Sequence, residues 1–122
     1  MPGQKTTFFP KVGKRKWILI TGDRNQRTRP REVEDMRRYG VRHFALPGNL
    51  GAFAMARLLV DAKNNIRACC RDNEGFVSAN VARDGSVRLL RDKQGSLHER
   101  KISKVYKNGT LSIVEVAVAD EV

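Results

Sequence analysis

The run Trp17-Ile18-Leu19-Ile20 constrains this chain more than any other stretch. It is continuously apolar, rich in large and β-branched side chains, and closed by Thr21-Gly22. Such a run without polar alternation reads as a strand buried on both faces, the kind found inside a parallel sheet. Past its carboxyl end the chain releases one carboxylate, Asp23, into a basic segment from Arg24 to Arg31. In open α/β sheets, sites lie beyond the carboxyl ends of the strands, so Asp23 is the first candidate for chemistry.

Arg24 to Arg29 reads as a polar loop, and Pro30 suits the first turn of a helix, where a missing N–H costs nothing. Glu32, Glu34 and Asp35 follow at the end where the helix dipole favours carboxylates, and Arg37 and Arg38 lie at the end where it favours cations. Val33, Met36 and Tyr39 form the stripe to be buried, and Gly40 is the expected stop. Val41 to Leu46 is a second short strand, Pro47-Gly48 a turn and Asn49 an N-cap. A long helix is predicted from about Leu50 to Arg71. Leu59, Ala62, Ile66 and Cys69 fall on its buried face, with Phe53, Ala56 and Val60 expected to extend that face toward the N-terminus. The order strand, helix, strand, helix predicts a parallel α/β unit.

The remainder changes character. Phe76 to Arg83, Asp84-Gly85 and Ser86 to Leu90 spell a β-hairpin, and Ile102 to Lys107, Asn108-Gly109 and Thr110 to Val118 spell a second. At the other end, residues 1–16 read as a basic leader with Phe8-Phe9-Pro10 as its anchor, Pro10 and Gly13 breaking regular structure. The expected organisation is a leader over 1–16, an α/β domain over 17–90 and a β-hairpin extension over 91–122. The fold class is α/β: a parallel sheet with two helices, then C-terminal β-hairpins.

The 122 residues carry a net charge of +11, which favours polyanionic partners, nucleic acid first and anionic membrane second. Solubility charge or an acidic protein partner would have the same signature. The surplus is uneven: residues 1–50 hold 12 Lys and Arg against 4 Asp and Glu, whereas residues 101–122 hold 3 of each, so the basic surface is expected around Asp23. The two cysteines, Cys69 and Cys70, are adjacent and point apart in a helix, which argues against a disulfide between them. With no signal-peptide h-region and no apolar run of membrane-spanning length, the expected location is the cytoplasm.

Asp23 alone is a weak signal, since an acid at a strand end is often only a turn former. Mg²⁺ and Mn²⁺ are hard cations that want several oxygen ligands. Glu32 and Asp35 are the nearest further acids; Glu32, in the following helix, either reaches toward Asp23 or simply answers the helix dipole. Arg24, Arg27, Arg29 and Arg31 form a plausible RNA-backbone patch, because a guanidinium can bond two phosphate oxygens at once; the alternative is a solvated basic loop. His43 reads as a packed or edge histidine and His98 as a loop residue. The sequence holds no zinc spacing, Ser/His/Asp arrangement, P-loop or dinucleotide fingerprint.

Trp17-Ile-Leu-Ile-Thr-Gly-Asp23-Arg-Asn, then Arg29-Pro30-Arg31-Glu32, Tyr39-Gly40-Val41, Phe44-Ala45-Leu46 and the hairpin Phe76-Val77 to Arg83-Asp84-Gly85-Ser86-Val87, together resemble the PIN-like nucleases of VapC-type toxin–antitoxin systems. The resemblance covers roughly Phe9 to Leu90. It implies a partial PIN-like, Rossmann-like domain from a metal-dependent endoribonuclease family, with Asp23 as metal ligand and catalytic acid, Glu32 as a second catalytic residue, and Mg²⁺ or Mn²⁺ as cofactor. It implies RNA as substrate and an antitoxin as partner. It also implies that the front acidic half of the domain is missing, because residues 1–16 contain no Asp or Glu. The strand Trp17 to Thr21 would then be a bare apolar edge, expected to pair with a second copy or a partner chain.

Overall fold

Glycine, proline and asparagine cut the chain into short elements around one mixed sheet. The computed structural model describes residues 2–22 and 30–115. In chain order these form α1 (Pro2–Lys14), β1 (Ile18–Thr21), α2 (Pro30–Arg38), β2 (Arg42–Ala45), α3 (Ala52–Asp72), β3 (Val77–Val81), β4 (Val87–Asp92), β5 (Gly95–Ser96), β6 (Ile102–Lys107) and β7 (Thr110–Glu115). The sheet order is β1-β2-β3-β4-β6-β7, with β5 pairing on β4. β1, β2 and β3 are parallel, Ile20 facing Phe44 and Phe44 facing Ala79. From β3 onward every pairing is antiparallel. The fold is therefore mixed α/β, a parallel block continuing into an antiparallel meander.

The local chemistry explains most of the boundaries. α2 begins at Pro30, carries Glu32 in its first turn and Arg37 and Arg38 in its last, and stops at Gly40 with φ 67°. At the β6–β7 turn, Asn108 and Gly109 have φ 55° and 76°, the paired positive values that a two-residue hairpin turn demands. Asp84 Oδ1 accepts from the Ser86 amide at 2.9 Å and from Ser86 Oγ at 2.6 Å, closing the β3–β4 connection.

Two cores lie on opposite faces of the sheet. On one, α3 supplies Leu58, Ala62, Ile66 and Cys69 against Phe44, Val77, Val81, Leu89 and Tyr106. On the other, Phe9 and Val12 of α1 and Met36 of α2 pack with Val41 and Phe76. Neighbours on β1 divide between them, Ile20 going to the first core and Leu19 to the second.

Four expectations are corrected. First, the leader is not irregular: Pro2–Lys14 is a helix despite Pro10 and Gly13. Burial of Phe9 and Val12 outweighs the helix-breaking tendency of Pro10, and Gly13 sits where α1 meets the end of α2. A Cβ there would overlap the Tyr39 carbonyl oxygen and lie 2.9 Å from its carbon. Among the described residues the sheet thus carries three helices, not two.

Second, β1 is not buried on both faces. It is the sheet's edge, with Trp17 51% and Ile18 40% exposed. An apolar run alone does not distinguish the two placements. Third, α3 starts from Gly51 as N-cap, without a side-chain cap; Asn49 instead has φ 64° in the preceding turn. Fourth, Phe53, Ala56 and Val60 do not extend the buried face, since Phe53 is 83% and Val60 70% exposed. With 3.6 residues per turn, the face of Ala62 and Ile66 runs back through Leu58 and Met55.

The hairpin signatures match the pairings β3–β4 and β6–β7 as far as Glu115, residues 116–118 lying outside the described residues. Residue 91, where an extension was expected to begin, falls inside β4. Buried Asn65 of α3 joins both turns: its Nδ2 donates to the Gly85 carbonyl at 2.8 Å, and its Oδ1 accepts from the Gly109 amide at 2.7 Å.

Candidate nucleic-acid interface

Two regions of the molecule have chemical character. The first is the carboxyl end of the parallel block. β1 ends at Thr21, two residues before Asp23 in the sequence. Asp23, Arg24, Arg27 and Arg29 lie outside the described residues. Of the remaining expected site residues, Arg31 is exposed and Glu32 half-buried in the first turn of α2.

Thr21 Oγ1 and His43 Nε2 share a hydrogen bond of 2.8 Å between β1 and β2. His43 is buried, and its Nδ1 has no partner among the described residues. Burial lowers the His43 pKa below its ordinary 6.5. The folded imidazole therefore stays neutral while the unfolded one takes up a proton near pH 6.5, so stability declines as the pH falls below that value. Replacing His43 by Gln should flatten this decline. Melting temperatures followed from neutral pH down to about pH 5 check it; a wild-type slope in the variant would show that His43 is not its source.

Among the described residues no three His, Cys, Asp or Glu side chains converge to hold a metal ion. The described donor set thus does not fit an Mg²⁺ or Mn²⁺ site. The two cysteines are unpaired. Burial pushes the Cys69 thiol up to about 12 and raises Cys70 as well, which makes both poor nucleophiles.

The second region lies in the meander. β4 pairs with β6 over Val87–Leu89, then turns its edge to β5 over Arg91–Asp92. The fork between β5 and β6 opens a cavity of about 390 Å³. Arg88, Arg91, His98 and Lys101 line it, with Ser96 and Ser103, and no acidic side chain does. Beside the fork, Arg100 ties the end of β4 to the β4–β5 turn, donating to Asp92 Oδ1 at 2.7 Å and to Gln94 Oε1 at 2.9 Å. Asp92 is buried, so this ion pair is a structural clamp. Arg88 and Arg91 form no ion pair with a described residue.

Sequence reasoning missed these four residues. Their positions are scattered, and only the β4–β5–β6 pairing brings them together. The available signal was a strand, Val87-Arg-Leu-Leu-Arg91, carrying cations beside a second hairpin. Among the described residues no helix is long and apolar enough to cross a membrane. Comparison with protein-family models, with curated proteins and with solved structures gave no match.

Proposed function

We propose that this chain is a PIN-like, VapC-type toxin-related protein that binds RNA, with Asp23 as one corner of an Mg²⁺ or Mn²⁺ site that acids from a partner chain complete. The observation that carries the reading is the parallel block β1-β2-β3, whose edge strand ends two residues before Asp23 and is followed by a helix headed by Arg31 and Glu32. In this reading Arg24, Arg27, Arg29 and Arg31 bind phosphates, and Glu32 assists Asp23. An antitoxin or a second copy pairs with the exposed edge of β1.

A second reading, a non-catalytic basic module that binds RNA or an antitoxin, is favoured by the net charge of +11.

Purified chain incubated with RNA and Mn²⁺, beside Asp23→Asn, separates the two. Cleavage, or Mn²⁺ binding, that is lost in the variant supports the first; RNA binding that weakens steeply with salt, with neither cleavage nor Mn²⁺ binding, supports the second. Absence of any RNA binding at low salt sinks both. In the same preparations, sedimentation of wild type against Ile18→Lys tests the edge: a larger wild-type species that the substitution dissociates is expected, and identical behaviour removes the edge partner.

A further inference from the structure

We infer that the fork between β4, β5 and β6 is a second nucleic-acid site, one that grips the sugar–phosphate backbone of a single strand and does not read its bases. The inference rests on the RNA-binding reading above but concerns different residues. Arg88, Arg91, Lys101 and His98 line one concavity with Ser96 and Ser103. Guanidinium groups bond phosphate oxygens in pairs, a lysine contributes a point charge, and serine and histidine reach the remaining oxygens.

The lining excludes other ligands. It contains no carboxylate to repel a phosphodiester or attract a basic peptide, and His98 alone is too few ligands to hold a metal. It contains no Phe, Tyr or Trp, the rings on which unpaired bases usually stack, and its one ring is the His98 imidazole. Of its apolar residues, Leu89 and Leu97 are buried and belong to the α3 core, whereas Leu90 and Ile102 are half-buried. A concavity of about 390 Å³ admits a strand of backbone, whereas a duplex or a membrane surface would meet only its rim.

The site is also preorganised. Arg100 ties the β4 end, the β5 loop and the approach to β6 together through Asp92, Gln94 and the Gly95 and Ser96 carbonyls. These ties are made by a residue other than Arg88 and Arg91, so substituting those two leaves them in place.

Fluorescence anisotropy with a labelled uridine oligomer of about 12 nucleotides, long enough for one site, tests the assignment. Arg88→Ala/Arg91→Ala should weaken binding roughly tenfold at about 0.1 M salt and reduce the salt slope by about 0.7 for each phosphate no longer neutralised. At the same salt, Arg57→Ala/Arg67→Ala removes the same charge from the exposed face of α3 and should leave binding within about twofold, since charge more than roughly 10 Å away is then largely screened. An adenosine oligomer should bind as the uridine oligomer does.

If the α3 control weakens binding as much as the fork variant, net charge and not the fork holds the strand, and the assignment fails. If the fork variant binds like wild type, the assignment fails while RNA binding stands. If wild type binds no oligomer, both readings fall. If it binds only vesicles containing anionic lipid, the fork is not a nucleic-acid site.

Discussion

Replacing Gly13 by alanine is expected to lower stability by about 3–5 kcal/mol, the burial of roughly two core side chains. The Cβ has no room, because the Tyr39 carbonyl group at the end of α2 occupies its place. That obstacle is backbone, so a rotamer change does not relieve it. α1 must move away, and Phe9 and Val12 leave the core they share with Met36, Val41 and Phe76. A fall in melting temperature on the order of 10–15 °C follows for a domain of this size. The single tryptophan, Trp17, reports locally, since its amide donates to the Val12 carbonyl at 3.0 Å at the end of α1. A shifted Trp17 emission in native buffer should accompany the lower melting temperature. A variant that melts with wild type would show that α1 does not dock through Gly13.

Asn65→Ala is expected to cost about 3 kcal/mol, because two polar backbone groups lose their partner together. The Gly85 carbonyl loses its donor and the Gly109 amide its acceptor. Both sit in hairpin turns that α3 otherwise holds side by side. Asn65→Asp is the sharper probe. It keeps an acceptor for Gly109 but sets a carboxylate against the Gly85 carbonyl oxygen. That contact raises the folded-state pKa of the acid, so the deficit is present at neutral pH and shrinks as the pH falls through the raised value. Urea unfolding at two pH values measures both effects. A loss below about 1 kcal/mol for the alanine variant would mean that water satisfies the turns equally well.

Most of the element boundaries were legible in the sequence because single residues fix them. Pro30, Gly40, Asp84-Gly85 and Asn108-Gly109 act through local backbone preference, which needs no knowledge of the rest of the molecule. The failures lie where tertiary packing decides. Pro10 and Gly13 are breakers by local rule, yet α1 forms because Phe9 and Val12 find a core. Trp17 to Ile20 looks the same whether it lies inside a sheet or at its edge. Phe53 and Val60 are apolar but stand on the wrong side of α3, which only the helical phase set by Leu58 and Ala62 reveals. Of the site expected from sequence, Arg31 and Glu32 fall where the start of α2 was read, and Asp23, Arg24, Arg27 and Arg29 lie outside the described residues. The fork cations were illegible because strand pairing, not spacing, assembles them.

The sheet order has a consequence for how the chain reaches this structure. Joining β1 to β2 brings Ile18 to Arg42, and joining β2 to β3 brings Arg42 to Val77, so each parallel pairing closes a long loop. Joining β6 to β7 needs only Lys107 to meet Thr110, and joining β3 to β4 needs only Val81 to meet Val87. The entropy of closure grows with loop length, so the meander forms at the smaller entropic cost and the parallel block at the larger. The basic fork is thus built from the segments that assemble most readily. The strand end that precedes Asp23 in the sequence depends on the pairings that are slowest to close, on an edge strand that among the described residues has a neighbour on one side only.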